Sequence, residues 1–149
     1  MDSHHMPGHL IRRLHQISAQ LFVARAKEAG FDLTPVQFAA IEALSIYPGS
    51  EQARIAALIA YDRATIGGVI DRLVQKGYVD RAVSQRDRRA REVRLSDLGA
   101  AALESMRPVV RALQEEILAK LSSGDRAVFV TLAREAIGLS PGDTTTSEA

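Results

Sequence analysis

The chain has 149 residues, of which 46% are hydrophobic, 25% charged and 5% aromatic, and its 19 basic and 18 acidic side chains leave a net charge of +1. These values fit a helix-rich globular protein, and no apolar run approaches the roughly 20 residues of a membrane-spanning helix. Cysteine is absent, which excludes disulfides, thiolate nucleophiles and cysteine-based zinc or redox sites.

Leu10, Leu14, Ile17, Leu21 and Ala24 recur at helical spacing, which predicts a first helix from Pro7 to Ala29 that Gly30 stops. Thr34 followed by Pro35 reads as a helix cap with proline in the first helical position, opening a second helix through Phe38, Ile41 and Leu44 up to Pro48 and Gly49. Ser50 is expected to cap a short third helix with Ala53, Ile55, Ala56 and Ile59 inward. Asp62 is expected to cap a fourth, with Ile66, Ile70 and Leu73 inward and Gly77 at its end. Two short helices joined across Ala60, Tyr61 and Asp62 are the ingredients of a helix-turn-helix.

The pattern then changes. Val79 to Val83 and Glu92 to Leu95 are strand-like, and the arginine-rich stretch between them suits a hairpin loop, so helix and hairpin together read as a winged helix-turn-helix. Ser96 caps a long helix in which Leu103, Met106, Val110, Leu113, Ile117 and Leu121 form a stripe, with Pro108 expected to bend it. Ser122 to Asp125 reads as a chain break before a last helix through Val128, Phe129, Leu132, Ala136 and Ile137. The polar residues from 140 on read as disordered.

Charge is unevenly spread. Between Glu51 and Arg94 there are ten basic residues against six acidic, and the rest of the chain is mildly acidic. A basic middle on a near-neutral framework points to a polyanion. On a helical wheel Ala64, Gly68, Asp71 and Gln75 lie opposite the inward residues of the fourth helix, flanked by Arg63, Thr65, Gly67 and Arg72. Arg63 and Gln75 have planar ends that match guanine and adenine edges, and Gly67 and Gly68 would let backbone approach bases closely. A carboxylate facing DNA is repelled, so Asp71 is expected to orient a nearby arginine. Arg86, Arg88, Arg89 and Arg91 in the hairpin loop suit a narrow minor groove.

With these elements placed, residues 9–138 resemble the MarR family of bacterial transcription regulators. The wing signature appears as Asp87, Arg89, Val93, Leu95, Ser96 and Gly99, with Ser96 in place of the usual threonine. The start of the recognition helix appears as Asp62, Arg63 and Thr65, and Leu73 with Gly77 falls where the family has its leucine and glycine. The fold class expected is mainly α: a winged helix-turn-helix with a small β-hairpin wing and N- and C-terminal dimerisation helices. It would form a single domain over residues 1–139, with dimerisation helices at 7–30 and 96–138 and a DNA-binding lobe at 34–95. The resemblance implies a homodimer that represses transcription and is released by a small ligand, with Arg89 pairing with Asp87 to shape the wing. A two-fold protein also suits palindromic half-sites, which makes Leu10 to Phe22 and Leu103 to Leu121 the expected dimer elements.

Family ligands bind between the dimer helices and the DNA-binding lobe. His15 and Ser18 interrupt the apolar stripe of the first helix there, so His9, Arg13 and His15, with Phe38 as a wall, are the candidate residues for a small aromatic acid or phenol. A metal-sensing alternative rests on His5, His9 and His15, but His4 and His5 lie in an opening stretch that carries little weight as native sequence, so no metal or cofactor is expected. No phosphate loop, nucleophile motif or ligand cluster suggests an enzyme. A further alternative is a winged protein-interaction adaptor without sequence-specific DNA binding. With no secretory leader in view, the cytoplasm is the expected compartment, associated with the nucleoid when DNA is bound.

Overall fold

The computed structural model describes residues 2–139, so the expectation of a disordered tail from 140 falls outside it. Two compact bodies make up the chain, one ending at Ile117 and the other beginning at Leu118. The first body opens with a short 3-10 turn, Asp2–His5, and then α1, Pro7–Glu28. Next come α2 (Pro35–Ile46), β1 (Ser50–Glu51), α3 (Gln52–Leu58), α4 (Ile66–Gln75), β2 (Val79–Val83), β3 (Arg91–Leu95) and α5 (Asp97–Ile117).

Local chemistry explains most boundaries. Thr34 and Gln37 form a reciprocal capping box at the start of α2: the Thr34 hydroxyl accepts from the Gln37 amide and the Gln37 side chain accepts from the Thr34 amide. Ser96 Oγ accepts from the Gly99 amide at 3.0 Å to cap α5 and also donates to the Gly77 carbonyl at the end of the recognition segment. Gly99 is required there, because a side chain would collide with the Tyr78 carbonyl.

Four expectations need correction. Ser50 does not cap a helix: with Glu51 it forms β1, which pairs antiparallel with β3 through Ser50–Val93 and Glu51–Glu92, and its hydroxyl donates to the Tyr47 carbonyl. The wing strands β2 and β3 therefore belong to a three-stranded sheet ordered β1-β3-β2, with β3 in the centre. The fourth helix starts at Ile66 and not after Asp62. Asp62 instead organises a preceding turn, accepting from the Ala64 amide at 3.0 Å, with Ala60 in the left-handed region at φ 52°. The long helix ends at Ile117, short of Leu121, with Pro108 inside it. Ser122 is a cap, accepting from the Asp125 amide at 3.2 Å, so the segment read as a break starts α6, Ser123–Ala136, in the second body.

The core of the first body joins Phe22 of α1, Phe38, Ile41 and Leu44 of α2, Ile55 of α3, Ile70 and Leu73 of α4, Val93 of β3 and Met106 of α5. Full burial of each such side chain contributes roughly 1.5–3 kcal/mol. The α5 stripe is largely consumed in this way: Leu103, Met106 and Leu113 are at most 2% exposed inside their own chain. By contrast, the N-terminal half of α1 leaves Leu10, Ile11 and Ile17 exposed, and only Phe22 and Ala26 of that helix are buried. α1 is tied to α5 by Arg25, whose guanidinium donates to both Glu116 carboxylate oxygens at 2.8 and 2.9 Å. In the second body α6 carries no buried residue.

Candidate nucleic-acid interface

The inward residues of α4, namely Ile66, Val69, Ile70 and Leu73, are all buried. This fixes the helix by one face and leaves Gly68, Asp71, Arg72 and Gln75 exposed on the other. Arg63, Ala64 and Thr65 are exposed in the turn ahead of the helix, and Thr65 Oγ1 donates back to the Asp62 carbonyl at 3.2 Å. A Cβ at Gly68 would meet nothing within 4 Å, and one at Gly67 would make only ordinary contact with the Gln52 amide at 3.8 Å. Packing within the chain therefore does not call for either glycine.

The wing is shaped by a residue that sequence reasoning missed. Ser84 is 2% exposed. Its hydroxyl accepts from the Arg86 amide at 3.2 Å and donates to Glu92 at 3.3 Å, while its own amide donates to the Ala90 carbonyl. A serine followed by polar residues in a hairpin loop is the local signal that could have identified it. Asp87 accepts from the backbone amide of Arg89 at 2.9 Å, so the pairing of Asp87 with Arg89 runs through the main chain and leaves the Arg89 guanidinium without an ion pair among the described residues. Arg91 is braced, its guanidinium donating to the Ala90 and Arg88 carbonyls.

These parts meet in a cleft of about 560 Å³ between the start of α3, the turn before α4 and the wing. Arg63, Gly67, Arg89 and Arg91 line it together with Gln52, and Glu51 and Asp87 are the acidic members. Neither Arg63 nor Arg89 has a carboxylate within 4 Å among the described residues, so both guanidinium groups are available to an external anion. Arg88 is exposed in the wing loop, Arg72 and Gln75 lie further along the outer face of α4, and Arg86 lines a different cleft. The arginine that Asp71 holds is Arg81 of β2, at 2.6 Å.

The candidate ligand residues are more scattered. Phe38 is buried and packs its ring 5.7 Å from that of Phe22, as a core residue. Arg13 and His15 are exposed on α1. His9 is half-buried, stacks on His4 at 5.6 Å and shares its Nδ1 with the Arg12 guanidinium at 3.1 Å. No group of three potential metal-ligating side chains occurs among the described residues.

An exposed helix face presented by a helix-turn-helix and flanked by a basic hairpin defines a winged helix-turn-helix. Residues 31–90 match the family model described as MarR family. The chain is 34% identical over 130 residues to the HTH-type transcriptional repressor NicR of Pseudomonas putida, covering 87% of this chain and 81% of that protein. Among solved structures, the PcaV transcriptional regulator from Streptomyces coelicolor, in complex with its natural ligand, is 31% identical with a TM-score of 0.80, covering 92% of this chain and 95% of PcaV. BpsR of Bordetella bronchiseptica, solved for the regulation of its DNA binding by 6-hydroxynicotinic acid, is 27% identical with a TM-score of 0.78, over 91% of this chain and 95% of BpsR. This chain belongs to the MarR family, whose members here are transcriptional regulators.

Proposed function

We propose that the chain is a homodimeric, non-catalytic DNA-binding repressor of the cytoplasm that binds a pseudo-palindromic operator and is released by a small organic ligand, an aromatic acid or phenol. The observation that carries this reading is the cleft where the unpaired guanidinium groups of Arg63 and Arg89 flank the glycine-bearing face of α4. Free cations beside an exposed helix that can enter a major groove suit a phosphate-lined duplex. In this reading Arg63, Ala64, Thr65, Gly67, Gly68, Arg72 and Gln75 meet the major groove, while Arg86, Arg88, Arg89 and Arg91 serve the wing.

The dimer helices are proposed to be α1 and the C-terminal segment at 96–138. The exposed Leu10, Ile11 and Ile17 support a role for α1, and the exposed Val128 and Leu132 do so for α6. The lobe at 34–95 then reads DNA, and a small ligand near His9, Arg13, His15 and Phe38 shifts the spacing of the two lobes. Such a ligand acts only through its differential affinity for the two spacings. BpsR supports the ligand class, since its DNA binding is regulated by 6-hydroxynicotinic acid, and PcaV supports ligand binding as such.

The test is fluorescence anisotropy of duplex DNA from upstream of the chain's own gene against a scrambled duplex, over a series of salt concentrations. Sequence-selective binding that falls steeply with salt supports the regulator. Equal, weak and salt-insensitive binding to both would favour a protein-binding adaptor.

A further inference from the structure

A second cleft, of about 490 Å³, shares only Glu51 with the first. Its cations come from three separate elements: Arg54 of α3, Arg86 of the wing loop and Arg94 of β3. None of the three has a carboxylate within 4 Å among the described residues, although Glu51 and Glu92 line the same cleft and strand register sets Asp80 opposite Arg94. Each is instead held by other means. The Arg54 guanidinium lies 4.7 Å from the centre of the Tyr47 ring. Arg86 is fixed through its backbone amide on Ser84. The Arg94 guanidinium rests on Gly49, where a Cβ would come within 2.5 Å of it and where φ is +73°, so glycine makes the seat.

Three guanidinium groups against two carboxylates, none of them in an ion pair with the arginines, leave the cleft with an excess of positive charge, which an oxyanion among the three would offset. Planar guanidinium groups match the paired oxygens of a phosphate. The geometry points to an oxyanion site formed by Arg54, Arg86 and Arg94, occupied by a backbone phosphodiester of the DNA on the flank of the wing beyond the first cleft. This assignment rests on the DNA-binding reading above and adds Arg54 and Arg94 to it as sequence-independent anchors.

The full-length protein carrying Arg54→Ala, Arg94→Ala or Arg94→Lys is titrated with the upstream and scrambled duplexes over a salt series, with melting curves to verify folding. Each alanine variant should lose about tenfold in affinity, as for a charge-assisted hydrogen bond. The loss should be equal on both duplexes, with a log–log salt slope shallower by about one. Arg94→Lys should keep the salt slope. In a parallel arm, inorganic phosphate is compared with chloride at matched ionic strength for its effect on melting. A phosphate-specific rise that Arg94→Ala abolishes, with DNA affinity unchanged, keeps the oxyanion site but assigns it to a free solute. Wild-type DNA affinity in both variants together with no phosphate effect overturns the site. Absence of salt-sensitive binding by the wild type fails the regulator reading separately, and the phosphate arm then decides the site alone.

Discussion

Asp71 on the exposed face of α4 holds the Arg81 guanidinium of β2 at 2.6 Å. The bond joins the helix proposed to enter the major groove to the first strand of the wing. Because both side chains are partly solvated, their pairing adds less than about 1 kcal/mol to stability. Asp71→Asn should therefore melt close to the wild type. It should nonetheless weaken DNA binding, because wing and helix no longer share a fixed angle, and anisotropy beside a thermal melt separates the two effects.

Gly68→Ala offers the opposite combination. With open space where its Cβ would go, the substitution should raise helix stability by up to about 1 kcal/mol. The added methyl group would stand between backbone and base edges, so DNA affinity should fall while the melting temperature rises. A variant that is more stable and binds equally well would remove close backbone approach from the account.

Arg63 and Arg88 are expected to differ in kind. Arg63→Ala should relax the preference at particular bases by roughly 1–3 kcal/mol. Arg88→Ala should weaken all sequences alike and flatten the salt dependence. Equal losses on specific and scrambled DNA for both variants would contradict that division.

The bond from Arg25 holds the Glu116 carboxyl below its ordinary range, chiefly through the direct hydrogen bond and then through the guanidinium charge. A lowered folded value means that the pair stabilises the fold above the usual carboxylate range and is lost as pH falls through the lowered value. The melting difference between wild type and Glu116→Gln should be present at pH 7 and shrink toward zero in acid. A difference that stays constant with pH would assign the effect to packing.

For the ligand, His15→Ala should leave DNA affinity intact while abolishing release by whichever compound in a panel of aromatic carboxylates frees the wild type. An unchanged response would remove His15 from the pocket.

Much of this architecture was legible from residues alone, because its signals are local. The cap at Thr34, the cap at Ser96 and the inward side of α4 all depend on spacing within a turn or two, whereas the reciprocal bond from Gln37 at the first of these came only with the structure. β1 was not legible: two residues carry no periodicity, and Ser50 and Glu51 become a strand only because β3 arrives beside them from some forty residues away. The division of the wing arginines between two clefts was equally hidden, since it depends on strand register and on the Ser84 turn. Asp71 was readable as an arginine's partner, whereas the identity of Arg81 required the fold. The candidate ligand residues lay on two helices whose exposed and buried faces sequence periodicity could not separate, so Phe38 looked like a wall and is a core side chain.

The Ser96 hydroxyl donates to Gly77, 19 residues back, and accepts from Gly99, so one oxygen closes the root of the whole wing. The hairpin is thereby clasped at its base by a bond that does not involve its outer loop. Residues at the tip of the loop can be exchanged or recharged to suit a different stretch of polymer without opening the base, provided that the clasp keeps a hydroxyl. Threonine could replace Ser96 in that role and alanine could not.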